Sequence, residues 1–567
     1  MVTLGISEDQ FDSGAALIDG ARVVFAANEE RYTRRKNEGG FPHHSLAALL
    51  DYTGIDPRDI DRIHVPGYNS PPFPVRLFPA IHTTNFEARR RGHDSAAVRI
   101  IHFVRYHTPI AHAQEHSWFS RACRPLLAPI TRPKLPPALR SRPIRFLEHH
   151  HTHAVGAWVL SGIEEALCVT ADGMGDGLST TFNHCAPDRG VQRIGAVPWS
   201  ASFGLLFEML TEAMGFVCNR DEGKLTGLAA SGDPKAVAMP SPFRVRDGQL
   251  YYSGVYEAAG VRWAREQLLS KYRREDVAAW AQHLLETHLI ELVDYWLKHT
   301  RLRALVLAGG IFGNVKLNQR LHELEYVDKL FVVPNMGDGG LAVSAAAAEG
   351  GLPREPVANV FWGEDYADAA CEAALKRSGL PYEPCPDPEE RAAALLAEGR
   401  IVARFRGRME WGPRALGARS ILAPASERTV PDRLNALLRR SDFMPFAPAL
   451  LDEDAEHYLD GLAPARHAAE FMTVCFRCTE KMKRDHPAVV HVDNTARAQL
   501  VRADHNPGLH KLLTRFKQHT GSSVVLNTSF NIHEEPIVRT PDEAISAFSR
   551  AKLDCLLLEG FLVRQPG

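Results

Sequence analysis

Apolar and polar positions alternate in short blocks at the start of the chain, and the blocks predict strands joined by polar turns. "VTLGIS", "AALIDG" and "RVVFAANEER" are three such blocks, with the acidic turn "EDQFDSG" after the first. The same grammar returns in "EALCVTADGMGDGLSTTFN": an apolar strand, a glycine-rich acidic turn and a second strand. Two such units predict a duplicated α/β core with a cleft between its halves. Helices are expected where apolar residues fall three and four apart, in "SASFGLLFEMLTEAMGF" and "AAWAQHLLETHLIELVDYWLKH". "RALVLAGGIFGNVKLNQRL" reads as a buried strand, a Gly-Gly turn and a helix.

Two stretches depart from this pattern. Residues 61–145 are rich in Pro, Arg, His and Phe and poor in periodicity, so a partly helical insertion over the core is expected there. At Gly350, Gly351 and Pro353 the pattern breaks, and strands resume in "RIVARFRG", "SSVVLNTSF" and "DCLLLEGFLV". The expected division is a first domain over 1–352 and a second over 353–567.

Composition narrows the classes. A chain of 567 residues exceeds one ordinary core. At 45% hydrophobic, 24% charged and a formal net charge of −2, it reads as soluble and globular, without general attraction for nucleic acid or anionic membrane. No apolar run has the length of a membrane span and "MVTLGISEDQF" is unlike a signal peptide, so a cytoplasmic protein is expected. Nine cysteines, an odd number, argue against a disulfide framework, and the lone CxxC pair Cys475 and Cys478 reads as core.

Candidate chemistry begins at "EHHHTHAVGAW". If the run opens a helix, only His149 and His153 share a face, and such a pair offers two nitrogens to one metal. Packed or solvated histidines are the equal alternative. Asp172 ends the strand "ALCVTA" at a turn with Gly173, Gly175 and Gly177; it is a carboxylate ligand, or else Asp172 or Asp176 only caps the turn. A second acidic turn, "PNMGDGG", places Asp338 before an alanine-rich helix, a setting suited to a metal bridging carboxylate and phosphate. Two imidazoles with carboxylates favour Fe²⁺ ahead of Zn²⁺ or Mn²⁺. "LAGGIFGNVKLN" (Gly309, Gly310 and Asn314) and "EGKLTGLA" (Lys224 and Gly227) are candidate nucleotide or phosphate contacts, with Lys224 as a solvated loop lysine the plain alternative.

In the second domain "RFRGRMEWGPRALGARSILA" gathers Arg404, Arg406, Arg408, Arg414 and Arg419 around a Gly-Pro break, which suggests a pocket for anionic oxygens. "VDNTARAQLV" adds Arg497. "VVLNTSFNIHEEP" puts Asn527, Thr528, Ser529 and Asn531 beyond a buried strand, where they could bond a phosphate or an amide.

Taken in order, "FDSGAAL…NEERYTRRK", "EHHHTHA", "TADGMGDG", "EGKLTGLA", "LAGGIFGNVKLN", "NMGDGG", "MEWGPRALGARSIL", "FMPFAP", "VDNTARAQ" and "NTSFN" resemble the carbamoyltransferase family of nodulation and antibiotic-tailoring enzymes, nearly end to end. The resemblance implies an N-terminal actin-like domain, like the tRNA threonylcarbamoyltransferase core, and a C-terminal YrdC-like α/β domain. It implies that ATP (with Mg²⁺) and carbamoyl phosphate form carbamoyl adenylate in the second domain. The carbamoyl group then passes to a hydroxyl, or an amine, of a small-molecule acceptor in the first. It implies ferrous iron on His149, His153, Asp172 and Asp338, and nucleotide and carbamoyl phosphate contacts from Lys224, Gly227, Gly309, Gly310, Asn314, Arg414, Arg439, Arg497, Asn527, Ser529 and Asn531. Neither nucleic acid nor membrane is an expected partner, and a homodimer is left open.

Two departures stand out. Relatives carry His before the "DS" of the first turn, where this chain has Phe11, so Asp12 or His150 is the expected base. In "LNALLRRSDFMPFAP" Met444 replaces an arginine, and Arg439 or Arg440 stands where relatives have lysine. An ATP-dependent kinase or hydrolase of the actin-like class is the rival reading.

Overall fold

The structure is a computed structural model and describes residues 1–78, 117–349, 352–439 and 445–565. Most of the expected insertion (79–116), together with Gly350, Gly351, Arg440 and Met444, lies outside the described residues. The chain divides into two units: Met1–Thr33 with Asn37–Pro356, and Arg34–Lys36 with Val357–Gly567.

In the first unit, β1 (Val2–Ser7), β2 (Gly14–Asp19) and β3 (Arg22–Asn28) form an antiparallel meander. β4 (Arg62–Pro66) pairs parallel with β1, and β5 (Ile144–Leu147) parallel with β4, giving the order β3-β2-β1-β4-β5. The second sheet repeats this plan. β6 (Ala166–Gly175), β7 (Leu178–Ala186) and β8 (Gly190–Pro198) are the meander. After the hairpin of β9 (Phe243–Arg246) and β10 (Gln249–Tyr252), β11 (Ala304–Ala308) and β12 (Lys329–Val332) add in parallel, in the order β12-β11-β6-β7-β8. Two sheets of one topology are the duplicated α/β core that the repeated grammar predicted.

The insertion is narrower than 61–145, because both ends of that range are strands of the first sheet. "RIHVP" hides its nature: Ile63, His64 and Val65 are all buried, so no alternation marks it, and His64 is accommodated by a 2.8 Å bond to the Ala345 carbonyl.

Small residues set the spacing of the core. The helix Leu341–Ala347 packs between β1 and the helix His149–Ser161. A Cβ on Gly5 would lie 1.9 Å from the Ala342 carbonyl oxygen, and one on Gly156 would lie 2.0 Å from Ser344 Oγ. The alanine run therefore serves close approach, which carries the residues just before it toward the histidines.

The second unit holds a mixed eight-stranded sheet. Its strands are β13 (Tyr382–Pro384), β14 (Val402–Phe405), β15 (Arg419–Pro424), β16 (Ala447–Leu451), β20 (Gln499–Val501), β21 (Val525–Ser529), β22 (Cys555–Leu558) and β23 (Phe561–Arg564), in the order β13-β23-β22-β14-β15-β21-β16-β20. β17 (Leu459–Asp460), β18 (Phe476–Cys478) and β19 (Thr495–Ala496) form a small separate sheet. Helices Pro388–Ala397 and Pro507–Thr520 cover the large sheet through Leu396, Leu512, Leu513 and Phe516. All nine cysteines are buried and none is in a disulfide. Among the described residues no helix is long and apolar enough to cross a membrane.

Candidate functional site

The helix His149–Ser161 begins at Glu148, whose carboxylate caps it by accepting from His151 N at 2.5 Å and pairs with Arg193. It ends on left-handed Gly162. Asp176, at the turn after β6, accepts backbone hydrogen bonds from Tyr68, Asn69 and His149. Asp176 therefore braces the helix start and the segment Tyr68–Asn69, a role neither reading gave it, and Asp172 is left for chemistry.

Asp172 meets the histidines. Its Oδ2 lies 3.4 Å from His153 Nε2, and Asp338 Oδ1 lies 3.3 Å from the same nitrogen and 3.5 Å from His149 Nε2. One ligand atom from each of His149, His153, Asp172 and Asp338 falls within 4.8 Å of all the others. Both imidazoles are buried, while the carboxylates remain partly open. Both ring nitrogens of His149 are buried without a hydrogen-bond partner. Unpartnered buried nitrogen beside two carboxylates fits a metal-ligating set, and the donor types suit Fe²⁺, Zn²⁺ or Mn²⁺.

Electrostatics follow from this crowding. Burial alone would lower the His153 pKa, but the bonds and charges of Asp172 and Asp338 outweigh it and lift the imidazole to about 9. Burial opposes ionisation of Asp172, yet the His153 bond and the neighbouring histidines hold its carboxyl well below the usual range. Glycines make room: a Cβ on Gly175 would lie 2.0 Å from His149 Cδ2, so the ring rests close against β6. Gly309, at φ 101°, donates to the Met336 carbonyl at 2.6 Å, and Gly310 N donates to Asp172 Oδ2 at 3.1 Å. The Gly-Gly turn therefore lies against the cluster.

Asp12 lies at its rim. A Cβ on Gly339 would come within 2.5 Å of Asp12 Oδ2, and the carboxylate accepts from Asn28 Nδ2 at 2.9 Å. Burial first, then Glu30, pushes its pKa up to about 7. Sequence reasoning missed Asp9, which is buried and held well above the carboxylate range by burial and by the charges of Asp338 and Asp172. Its place in the acidic "EDQFD" turn was the available signal.

The base role expected of His150 is corrected by its surroundings. The ring is fully buried, with Nδ1 2.8 Å from Thr170 Oγ1 and Nε2 3.2 Å from the Leu178 carbonyl. A carbonyl requires Nε2–H, so Nδ1 accepts from Thr170 and no nitrogen is left to take a substrate proton. Lys224 and Gly227 lie on the helix Glu222–Ala229, where Lys224 pairs with Asp221 at 3.5 Å and sits over the Phe216 ring. Asn314 caps the helix Val315–His322 and exchanges bonds with Gln282 and Thr226, so its amide is engaged internally.

In the second unit most of the arginine cluster is structural, which corrects the reading of all five as an anion pocket. Arg404 and Arg406 pair with Glu389, and Arg406 also with Glu559. Arg408 donates to the carbonyls of Trp362 and Gly363. Arg419, fully buried over the Phe405 ring, donates to the carbonyls of Arg406, Gly407 and Ala418. Arg414 is the exception. Burial, then the nearby charge of Arg497, pulls its pKa down to about 9, and burial lowers Arg497 as well. The Nε of each is buried without a hydrogen-bond partner. Two adjacent half-buried guanidiniums with no carboxylate on them among the described residues are a candidate site for an anion.

Asn527, Thr528 and Ser529, expected beyond the strand, stand on β21 itself, and Asn531 follows it. Asn527 donates to the Ala415 carbonyl and Gln499 Oε1; Ser529 donates to Asn531, whose own amide donates to the Ile532 and Glu535 carbonyls. Ser529 and Asn531 are thus spent within their own turn, and Asn527 on a distant loop and Gln499. Arg439 is exposed, at φ 57°.

The chain is similar to several known proteins. The nodulation protein NolNO of Sinorhizobium fredii is 30% identical over 98% of this chain and 79% of its own. The 3'-hydroxymethylcephem-O-carbamoyltransferase of Streptomyces clavuligerus is 30% identical over 61% of this chain and 65% of its own. Among solved structures, full-length HypF in a phosphate- and nucleotide-bound form aligns at 12% identity and a TM-score of 0.31, over 61% of this chain and 55% of that one. The family model "Carbamoyltransferase N-terminus" matches residues 2–347, which carry the His/Asp cluster, and "Carbamoyltransferase C-terminus" matches 393–565, which carry the arginine pair. The chain belongs to the carbamoyltransferase family.

Proposed function

We propose that this enzyme forms carbamoyl adenylate from ATP and carbamoyl phosphate in its second unit and transfers the carbamoyl group to a small-molecule hydroxyl in its first. In this reading the first unit, with two sheets of one topology, is an actin-like transfer domain, and the second a YrdC-like adenylate-forming domain. The observation that carries the reading is the convergence of His149, His153, Asp172 and Asp338 within 4.8 Å inside the region matched as the family's N-terminal part.

Atom balance orders the steps. Carbamoyl phosphate yields its phosphoryl group to water, leaving carbamate and phosphate. A carbamate oxygen attacks the α-phosphorus of ATP and expels pyrophosphate. The acceptor oxygen then attacks the carbamoyl carbon, AMP departs, and the acceptor proton passes to a base. Arg414 and Arg497 hold anionic oxygens in the first steps, as donors fixed in advance. His149, His153, Asp172 and Asp338 would hold the metal, with Fe²⁺ ahead of Zn²⁺ or Mn²⁺; when bound it would supply a Lewis acid for the adenylate's phosphate. Gly310 N steadies Asp172, and the Gly-Gly turn lets the nucleotide approach the backbone. Asp12, poised to about 7 beside the cluster, takes the acceptor proton in place of the histidine that Phe11 replaces. Cysteines without disulfides suit a reducing cytoplasm, and Mg²⁺ accompanies ATP.

The test is mass spectrometry of hydroxylated and amino metabolites incubated with enzyme, ATP and carbamoyl phosphate. A product heavier by one carbamoyl group, with pyrophosphate release that depends on carbamoyl phosphate, is expected. Release of ADP instead would move the enzyme to the kinase or hydrolase reading.

A further inference from the structure

The loop "EWGPRALGAR" that carries Arg414 is gripped from within. Glu410 is buried, and its Oε1 alone accepts three backbone N–H bonds, from Leu416, Ala418 and Arg419, each at 2.9 Å. Gly417 N is taken by Ser420 Oγ at 3.0 Å. The carbonyls are held from the other side. Asn527 Nδ2 donates to Ala415 O at 3.2 Å; Gln499 Nε2 and Asn506 Nδ2 donate to Leu416 O at 2.8 and 2.9 Å; Arg404 donates to Gly417 O. Asn527 also donates to Gln499 Oε1 at 2.7 Å, which locks the two amides together. Successive backbone N–H groups turned toward one point form an anion-binding concavity. Here the anion is the protein's own carboxylate, and the guanidinium just outside it stays available for a ligand.

We infer that Glu410 is a positioning residue for Arg414: it fixes the backbone from Leu416 to Arg419, so that the guanidinium is presented beside Arg497 at a set place. Gln499 and Asn527 complete the clamp by holding the carbonyls of Ala415 and Leu416. The inference rests on the proposed role of Arg414 in adenylate formation. The carboxylate touches no ligand in this assignment, and its action runs through the loop. Its second oxygen, Oε2, is buried and without a hydrogen-bond partner, so the role asks for one acceptor atom. A glutamine can supply that atom and an alanine cannot.

The experiment uses the full chain and follows carbamoyl-phosphate-dependent pyrophosphate release in Glu410→Ala, Glu410→Gln, Arg414→Ala and the double variant Glu410→Ala/Arg414→Ala. A displacement of about 1 Å at a substrate-holding group can cost about 10²-fold, so Glu410→Ala is expected to raise the KM for carbamoyl phosphate at least about 10-fold. Glu410→Gln is expected within about threefold of wild type, and the double variant no worse than Arg414→Ala by more than about threefold, because residues acting as one unit do not add. A purely structural glutamate would lower kcat with the folded fraction, leave KM unchanged and add fully to Arg414→Ala; either result overturns the inference. If Glu410→Ala does not fold, Gln499→Leu, which removes the clamp on the other side, must raise the same KM, and a normal KM there overturns it. An Arg414→Ala enzyme with normal pyrophosphate release would refute the proposed function of the arginine itself, a separate result.

Discussion

His149 offers a test that separates a metal ligand from a packed histidine. Both of its ring nitrogens are buried with no hydrogen-bond partner, and an Asp338 oxygen lies 3.5 Å from Nε2. An unsatisfied buried polar group costs about 1–3 kcal/mol. His149→Leu removes that cost from the metal-free protein while losing ring packing against β6, so the metal-free variant should melt at or slightly above the wild type. Metal reverses the order. At a free metal concentration of about 100 Kd the wild type gains about 2.7 kcal/mol, and the variant, with three ligands left, gains little. Such a gain corresponds to about 2–4 °C per kcal/mol in a domain of 150–250 residues, and to less in a larger unit. The assay is thermal melting under anaerobic conditions with and without Fe²⁺, beside direct measurement of bound metal. Carbamoyl transfer should be lost in the variant while pyrophosphate release continues. A metal-free variant that melts far below the wild type would mark His149 as a satisfied core residue. One that keeps the metal-dependent shift would remove it from the ligand set.

Gly175→Ala places a Cβ 2.0 Å from His149 Cδ2, so the ring must move; metal content and transfer are expected to fall together while circular dichroism stays unchanged, and full metal loading would refute the packing argument. Phe11→His restores the residue that relatives carry beside Asp12; acceptor turnover is expected to rise, by up to about 10²-fold if deprotonation limits the rate, and single-turnover kinetics with unchanged transfer would show that Asp12 already suffices. Burial lifts the Glu222 pKa from 4.5 to about 7, so the folded state holds a proton that the unfolded state has lost between those values, and stability falls as pH rises through that window. Glu222→Gln should match the wild type below the lower value and exceed it above the higher by about 3 kcal/mol, checked by denaturant unfolding at several pH values, where an equal loss for both proteins would exclude this glutamate.

The linear chain by itself determined the elements and the chemistry they carry. Period-two and period-three-to-four patterns marked the strands and helices, and the repeated strand–acidic turn–strand grammar marked a duplicated core. The four-residue spacing of His149 and His153 put two nitrogens on one helical face. Tertiary structure decided which polar groups remain free for a ligand. Asp338 comes to a histidine 185 residues away because the helix after it packs closely through alanines and Gly156. Asp172 and Asp176 look alike in sequence, yet Asp176 is spent on three backbone N–H groups. Of five arginines in one loop region, Arg404, Arg406 and Arg408 answer carboxylates or carbonyls of other segments and Arg419 answers carbonyls of the region itself, while Asn527 faces inward to a loop far from it in sequence. Local patterns record where a side chain points along its own element. The partners that satisfy a buried charge or amide come from elsewhere in the chain, and only folding brings them to it.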